Sequence, residues 1–488
     1  MSNMKRKRLF TVLAALLTAT GLWAQDMPEE PKEIDLTNNE RQMARQNNGF
    51  GFDLFRQARK NENQVMSPLS ITYLLSMLNN GAAGLTRDEI CQVLGFGNFT
   101  TDEVNAFCRK MLTESIALDE LTKVNIGNAI FLNQPYGICA DFEQAARDYY
   151  FAEVSTLDFH NDPAMDIINQ WASDQTNGLI PEILNVNSFN PDAVSYLLNA
   201  IYFKGAWTLK FDKEETIDES FDGGMDVPMM HLHNLLPYTE NDVYQMVALP
   251  YGNQAYQMNI LLPREGKTID DVLANINGES WESSLWLSPA DVDVKMPRIE
   301  TETDLPLVDI MKGLGMEKAF DKYLAEFPGF YTNVDGNTYI GMMKQVAKIK
   351  LDEEGTEAAA VTVVEVACES IEDPEEPKTY ELHADRPFVY VISERSTGAI
   401  FFIGQYVGPG EGSKPSPGED VMGVEDIQAL KIQSLKNQVY DMQGRLVSSR
   451  SGEFGARSEN ADLSPLTSYP LPLKKGIYIT NGRKVIVR

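Results

Sequence analysis

The sequence predicts an α+β fold built around large sheets, and three observations lead there. Apolar residues make up 43% of the 488 positions, enough for an extensive core. Helical spacing dominates the first part of the chain and strand-like runs dominate later, a segregation that suits helices packed on mixed sheets. Strand-like runs recur from residue 194 onward.

Taken in order, residues 25–45, with Pro28, Pro31 and many charges, read as a mobile leader. Residues 41–59 take on helical spacing, and residues 71–78 are apolar enough for a buried helix. Thr86-Arg87-Asp88-Glu89 has the form of a capping box ahead of Ile90, Val93 and Leu94 on one helical face. Residues 169–178, with Trp171 inside and Gly178 at the end, predict another amphipathic helix. Strands are expected at 194–203, 258–262, 292–296 and 388–392.

Composition sets limits on function. A net charge of −29 is incompatible with a general nucleic-acid binder, which needs basic surface to displace counterions. At the N-terminus, Lys5-Arg6-Lys7-Arg8 precedes an apolar run over residues 9–17 and a small-residue end near Ala24. That is the layout of a secretory signal peptide covering residues 1–24, too short to span a membrane comfortably. Four cysteines, Cys91, Cys108, Cys139 and Cys368, allow three pairings, and their spacing gives no disulfide framework. Free thiols in a core that needs no staple are the plainer expectation.

Residues 353–366 read Glu-Glu-Gly-Thr-Glu-Ala-Ala-Ala-Val-Thr-Val-Val-Glu-Val. Counting from Gly355, Thr356, Ala358, Ala360, Thr362, Val364 and Val366 share one parity and are uncharged; Glu357 and Glu365 fall on the other. Strand side chains alternate between faces, so the uncharged set fits the inside of a sheet. Gly355 supplies a hinge, and no proline follows before Pro374. The segment is built both to exist as a loop and to become a strand.

Glu353-Glu354-Gly355-Thr356-Glu357-Ala358-Ala359-Ala360 resembles the hinge of the reactive-centre loop of the serpin family. Further matches run in family order over residues 47–409: Met66-Ser67-Pro68-Leu69-Ser70, Asn199-Ala200-Ile201-Tyr202-Phe203-Lys204-Gly205-Ala206-Trp207, Val227-Pro228-Met229-Met230, Leu249-Pro250-Tyr251 and Asp385-Arg386-Pro387-Phe388. The resemblance implies a serpin fold, helices around three β-sheets with an exposed reactive loop, over residues 46–409. It implies an inhibitor of serine or cysteine proteases that acts as a suicide substrate. The protease cuts the loop, and the cut loop enters the central sheet while the covalent complex persists. A non-inhibitory binding or display protein on the same scaffold is the alternative.

By the family's usual spacing the cut falls after Glu369, with Ser370 next. Cleavage after Cys368, Ala367 or Val366 stays open, because residues 371–377 make the following stretch longer than most relatives have. The resemblance also assigns control of sheet opening to Ser67, Ser70 and Asn199, with Gln345 where histidine is common and Trp207 near the start of insertion. Glutamine both donates and accepts, so it can keep such a network without titrating.

Residues 410–422 are rich in proline and glycine and read as a linker. Beyond it, residues 423–488 alternate in strand fashion, with turn signals at residues 441–444 and at Asn481-Gly482, predicting a small all-β domain. Its phrases, ending Lys475-Gly476-Ile477-Tyr478-Ile479 and Lys484-Val485-Ile486-Val487-Arg488, resemble the C-terminal sorting domain of the type IX secretion system of Bacteroidota; a generic β-sandwich tail is the other reading. The sorting resemblance implies an export machinery as partner and a final place outside the cell.

An enzyme is not expected. The four histidines, His160, His231, His233 and His383, sit in no nucleophile-elbow, HExxH or papain-like context, and no phosphate-binding glycine motif is present. His231 and His233 share one face of a strand, two metal ligands at most where a structural site needs about four. No cofactor, metal, nucleic acid or membrane span is expected, and a monomer is.

Overall fold

A computed structural model describes residues 31–409 apart from residues 162, 286, 335 and 357–377, together with four short strands near the C-terminus. The chain divides into two compact units, residues 1–412 and 413–488.

The first unit opens with helix α1 (Asn38–Ala58), set by a capping box in which Thr37 accepts from Glu40 N and Glu40 reaches back to Thr37 N. The stretch read as a leader through residue 45 is therefore helical from Asn38, and Ile34 and Leu36 before it are already buried. Strand β1 (Gln64–Met66) leads into α2 (Pro68–Asn79), capped by Ser67 with Pro68 in its first turn. Helices α3 (Gly84–Val93) and α4 (Thr101–Ser115) follow.

The capping-box reading at Thr86 is overturned. α3 begins at Gly84 with Ala83 as its unaided N-cap, and Thr86 is buried inside the helix, accepting from Glu326 N. The Glu326 carboxylate takes Leu85 N at 2.9 Å, so a residue 241 positions away supplies the cap.

Six strands form the sheet that matters for function: β2 (Thr122–Asn133), β4 (Glu153–Leu157), β5 (Ser195–Ala206), β11 (Ile299–Pro306), β13 (Lys344–Asp352) and β14 (Gly355–Thr356), in the order β11-β13-β14-β5-β2-β4. Between β2 and β4 come β3 (Gly137–Ile138), which pairs with β12 (Tyr331–Thr332), and helix α5 (Ala140–Tyr150). Helix α6 (Ala164–Gln175) follows and ends in the left-handed pair Asn177 and Gly178. Ile168, Trp171 and Ala172 of α6 pack with Ala129, Phe131, Tyr196 and Ala200 on one face of this sheet. The other face, with Ile201, Phe203, Ala347 and Ile349, joins the main core above α2.

The second sheet holds β6 (Ile217–Ser220), β7 (Asp226–Glu240), β8 (Tyr244–Tyr251), β9 (Tyr256–Pro263), β10 (Pro289–Pro297), β15 (Thr379–His383), β16 (Phe388–Glu394) and β17 (Ile400–Tyr406), with β1 at one edge and β15 at the other. Every residue of β9, β16 and β17 is buried, the polar Gln257, Asn259, Ser393, Glu394 and Gln405 included, and the strands are otherwise mostly apolar. Short helices at Ile269–Ala274, Gly278–Ser283 and Val308–Gly313 complete the unit.

The second unit contains one antiparallel sheet of β18 (Val439–Tyr440), β19 (Leu446–Ser448), β20 (Gly476–Thr480) and β21 (Arg483–Val487), in the order β19-β18-β20-β21. The turn signals at residues 441–444 and at Asn481-Gly482 fall between its paired strands.

Candidate functional site

The hinge enters the central sheet at Gly355. β14 is antiparallel to both neighbours: Thr356 pairs with Leu351 of β13 and Gly205 of β5, and Gly355 with Asp352 and Ala206. Gly355 has φ 145°, and a Cβ there would meet Gly205 O at 2.1 Å, so no other residue fits without moving the strand. Thr356 is 3% exposed, and its Oγ1 lies 2.7 Å from Tyr251 Oη. Its face is the inward one, shared with Leu351.

Two aromatic rings build the mouth of this opening. Trp207 stacks on Tyr251 with centroids 4.4 Å apart and rings inclined by 12°. Trp207 Nε1 donates to Asp352 O at 2.9 Å, and Trp207 N to Glu354 O at 2.9 Å, which fixes the turn from β13 into β14. Phe211 N donates to Glu353 O at 3.2 Å.

The hinge carboxylates are each held by cations. Glu353 is buried; its Oε1 accepts from Arg298 Nε at 2.9 Å, Arg298 Nη2 at 2.6 Å and Thr216 Oγ1 at 2.7 Å. Burial alone would raise the Glu353 pKa, but the Arg298 guanidinium and the Thr216 hydroxyl outweigh it and hold it below the ordinary glutamate range. Glu354 accepts from Lys210 at 2.5 Å and lies 3.2 Å from Lys213, and the Lys210 bond leads in lowering its pKa.

Below Thr356 no ladder joins β13 and β5 among the described residues. Among the described residues, β13 and β5 share no direct pairing and are joined only through Gly355 and Thr356. Both are antiparallel to β14, so they run parallel to each other. A cavity of about 530 Å³ lies at the foot of this opening, bordered by Leu197, Leu198, Met343, Lys344, Leu74 and Leu78.

The residues assigned to sheet opening are only partly brought together. Gln345 Oε1 accepts from Ser67 N and its Nε2 donates to Ser67 O, both at 2.9 Å, while Ser67 Oγ caps Ser70 N. Gln345 thus ties β13 to the start of α2 by a two-way amide pair. Asn199 is not in that network. Its Nδ2 donates to Asn128 Oδ1 at 2.8 Å across β5 and β2, and its Oδ1 is buried with no partner among the described residues. On β5 Asn199 lies opposite Asn128 in register, and its amide is committed to that neighbour rather than to Gln345.

Glu357, Ala358, Ala359 and Ala360 of the hinge, and the reactive-bond positions Cys368, Glu369 and Ser370, lie outside the described residues. Cys91, Cys108 and Cys139 are free thiols, and burial pushes Cys108 up to about 12.

Sequence reasoning missed Arg298 and Thr216, which are far from Glu353 in the chain, and Lys210. It quoted Tyr251 within a motif without seeing that it meets Thr356.

This architecture, a short hinge strand entering a large sheet above a capped helix, defines a family. The family model for serpins, described as serine protease inhibitor, matches residues 45–409, and the chain belongs to that family. A serpin-like protein of Thermococcus kodakarensis is 32% identical over 372 residues, spanning 75% of this chain and 85% of its own. Leukocyte elastase inhibitor of Xenopus tropicalis is 32% identical over 387 residues, covering 74% and 97%. Among solved structures, the thermophilic serpin tengpin in its native state aligns with TM-score 0.68 at 25% identity, covering 79% of this chain and 98% of its own. Thyroxine-binding globulin complexed with thyroxine aligns with TM-score 0.66 at 26% identity, covering 76% and 100%.

Proposed function

We propose that this chain is a suicide-substrate inhibitor of serine or cysteine proteases whose loop, once cut, completes the strand begun at Gly355 and Thr356. The observation that carries the reading is the register of β14. Continued down β5, the pairing sets Ala358 beside Phe203, Ala360 beside Ile201, Thr362 beside Asn199, Val364 beside Leu197 and Val366 beside Ser195. On the β13 side it sets Ala358 beside Ile349, Ala360 beside Ala347 and Thr362 beside Gln345.

The inward parity thus stays uncharged to the end of β5, and its last positions reach the cavity at the foot. Thr362 comes level with Asn199 and Gln345, where its hydroxyl can satisfy the orphan Asn199 Oδ1. Each residue that enters the sheet supplies ladder bonds and apolar burial, and that gain drives the trap.

The cut falls between Cys368 and Ser370, with Glu369 ahead of the bond. The first 24 residues direct export, and residues 423–488 serve as a sorting domain for passage to the surface or medium.

The test is a mixture of the protein with a panel of serine and cysteine proteases. A covalent, denaturant-resistant band at the summed mass supports inhibition. If every protease cleaves the loop and turns over, the chain is instead a binding or display protein on the serpin scaffold.

A further inference from the structure

Three lysines lie in line on the outer face of the central sheet, at the level where the hinge strand begins. Lys350 on β13 and Lys204 on β5 adjoin Leu351 and Gly205, the two partners of Thr356, and so face the opposite way, outward. Lys123 on β2 stands directly opposite Lys204. Lys204 is half-buried, and Lys123 and Lys350 are exposed.

Like charges directly opposite on one sheet face are unfavourable. The other lysines of β13 are neutralised from β11: Lys344 lies 2.8 Å from Asp304, and Lys348 3.0 Å from Glu302. Lys350 faces Glu300 in register, yet among the described residues neither it nor Lys204 nor Lys123 makes an ion pair. Lys204 and Lys350 flank the line along which β14 continues.

The register of β14 says which residue comes between them. Continued by one step, its pairing sets position 357 level with Lys204 on one side and Lys350 on the other, and that residue is Glu357, on the outward parity. The next outward residues bring no charge: Ala359 comes level with Tyr202 and Lys348, Val361 with Ala200 and Val346, Val363 with Leu198 and Lys344. Glu365 comes level with Tyr196 and Met342, where there is no cation. A slip of two residues would keep the inward parity, so parity alone does not forbid it. One such slip sets Glu357 level with Asp352, a like charge. The other sets it level with Tyr202 and Lys348, and Lys348 is already committed to Glu302.

We infer that Lys204 and Lys350 are positioning residues that receive the Glu357 carboxylate as the cut strand enters, so that charge on the outer face selects the register that parity on the inner face leaves open. Lys123 sharpens the selection, because its repulsion with Lys204 is relieved when the carboxylate arrives. The inference rests on the insertion step of the inhibitory reading.

Charge reversal and its rescue test it in the full chain. The readout is the number of inhibitor molecules consumed per protease trapped, with a protease from the panel that forms the covalent band. Glu357→Lys and Lys204→Glu should each raise that number about twofold to fivefold, the size of cross-strand charge pairs. Combined, they should bring it most of the way back, with Lys350 alone still opposing. A purely steric or stability effect of one substitution is not cancelled by the other, so the rescue isolates charge. Lys350→Glu carries the same cycle if Lys204→Glu fails to fold. Single variants that match wild type, or a double variant as poor as the product of the two, overturn the inference. If no protease is trapped, the rise in thermal midpoint on loop cleavage replaces the count. A rise that shrinks in each single variant and returns in the double upholds the lysine pair while inhibition falls; no rise in the wild type overturns the inference.

Discussion

Arg298→Met should destabilise the protein through Glu353, and the loss should fade in acid. Glu353 is 1% exposed and keeps its charge because Arg298 supplies two N–H donors at 2.6 and 2.9 Å. Removing one partner of a buried pair costs about 3–5 kcal/mol. The Arg298 side chain is 37% exposed, so water screens the pair and Thr216 remains; about 2 kcal/mol is the expected loss at pH 7. Because the folded pKa of Glu353 is depressed, the bridge contributes fully above the ordinary glutamate range and is lost as pH falls through the folded value. In the variant burial is opposed only by the Thr216 hydroxyl and the backbone hydrogen bond of Glu353, so protonation begins at higher pH than in the wild type and relieves the buried charge. The gap between the two proteins, read from urea unfolding, should narrow steadily from pH 7 to pH 4.5. A gap that stays constant over that range, or one below about 0.5 kcal/mol at pH 7, would refute this account of the bridge.

Other perturbations probe the strand register. Thr356→Arg would have to bury a charge beside Tyr251 and should convert an inhibitor into a substrate, seen as cleaved protein without a covalent complex. Thr362→Val should lower the stability of the cleaved form by about 1 kcal/mol, as expected for one lost hydrogen bond, and leave the uncut form unchanged; equal losses in both would reject the pairing of Thr362 with Asn199. Removing residues 410–488 should leave protease trapping intact while fractionated cells retain the protein inside; export of the shortened chain would reject the sorting role.

Much of the fold was legible because its signals are local. β9 and β16 are buried throughout and are mostly apolar at 258–262 and 388–392, and Asn177-Gly178 ends α6 where glycine predicts a stop. The Thr37-Asn38-Asn39-Glu40 capping box was equally visible and would have placed the start of α1 correctly. Thr86 misled because its pattern is that of a cap, whereas Glu326 performs that role from a distant segment. The site divides the same way. The parity of the hinge is a local property, but the cation of Glu353 is 55 positions away. Sequence spacing carries no information about contacts made by folding sheets together.

The hinge changes its mode of attachment at one residue. Up to Glu354 it is held by cations, Arg298 for Glu353 and Lys210 and Lys213 for Glu354. From Gly355 it is held by strand pairing, and from Thr356 by inward burial against Tyr251. Ion pairs near the surface tolerate small displacements, whereas register in a buried sheet shifts only in steps of two residues without turning the side chains over. Ties of the first kind fix where the strand starts, and the second kind fixes which parity faces the core. Because Gly355 admits no side chain, the junction cannot slide by one residue in either direction. Thr356 thereby fixes the inward parity, and in the sequence the uncharged residues share that parity.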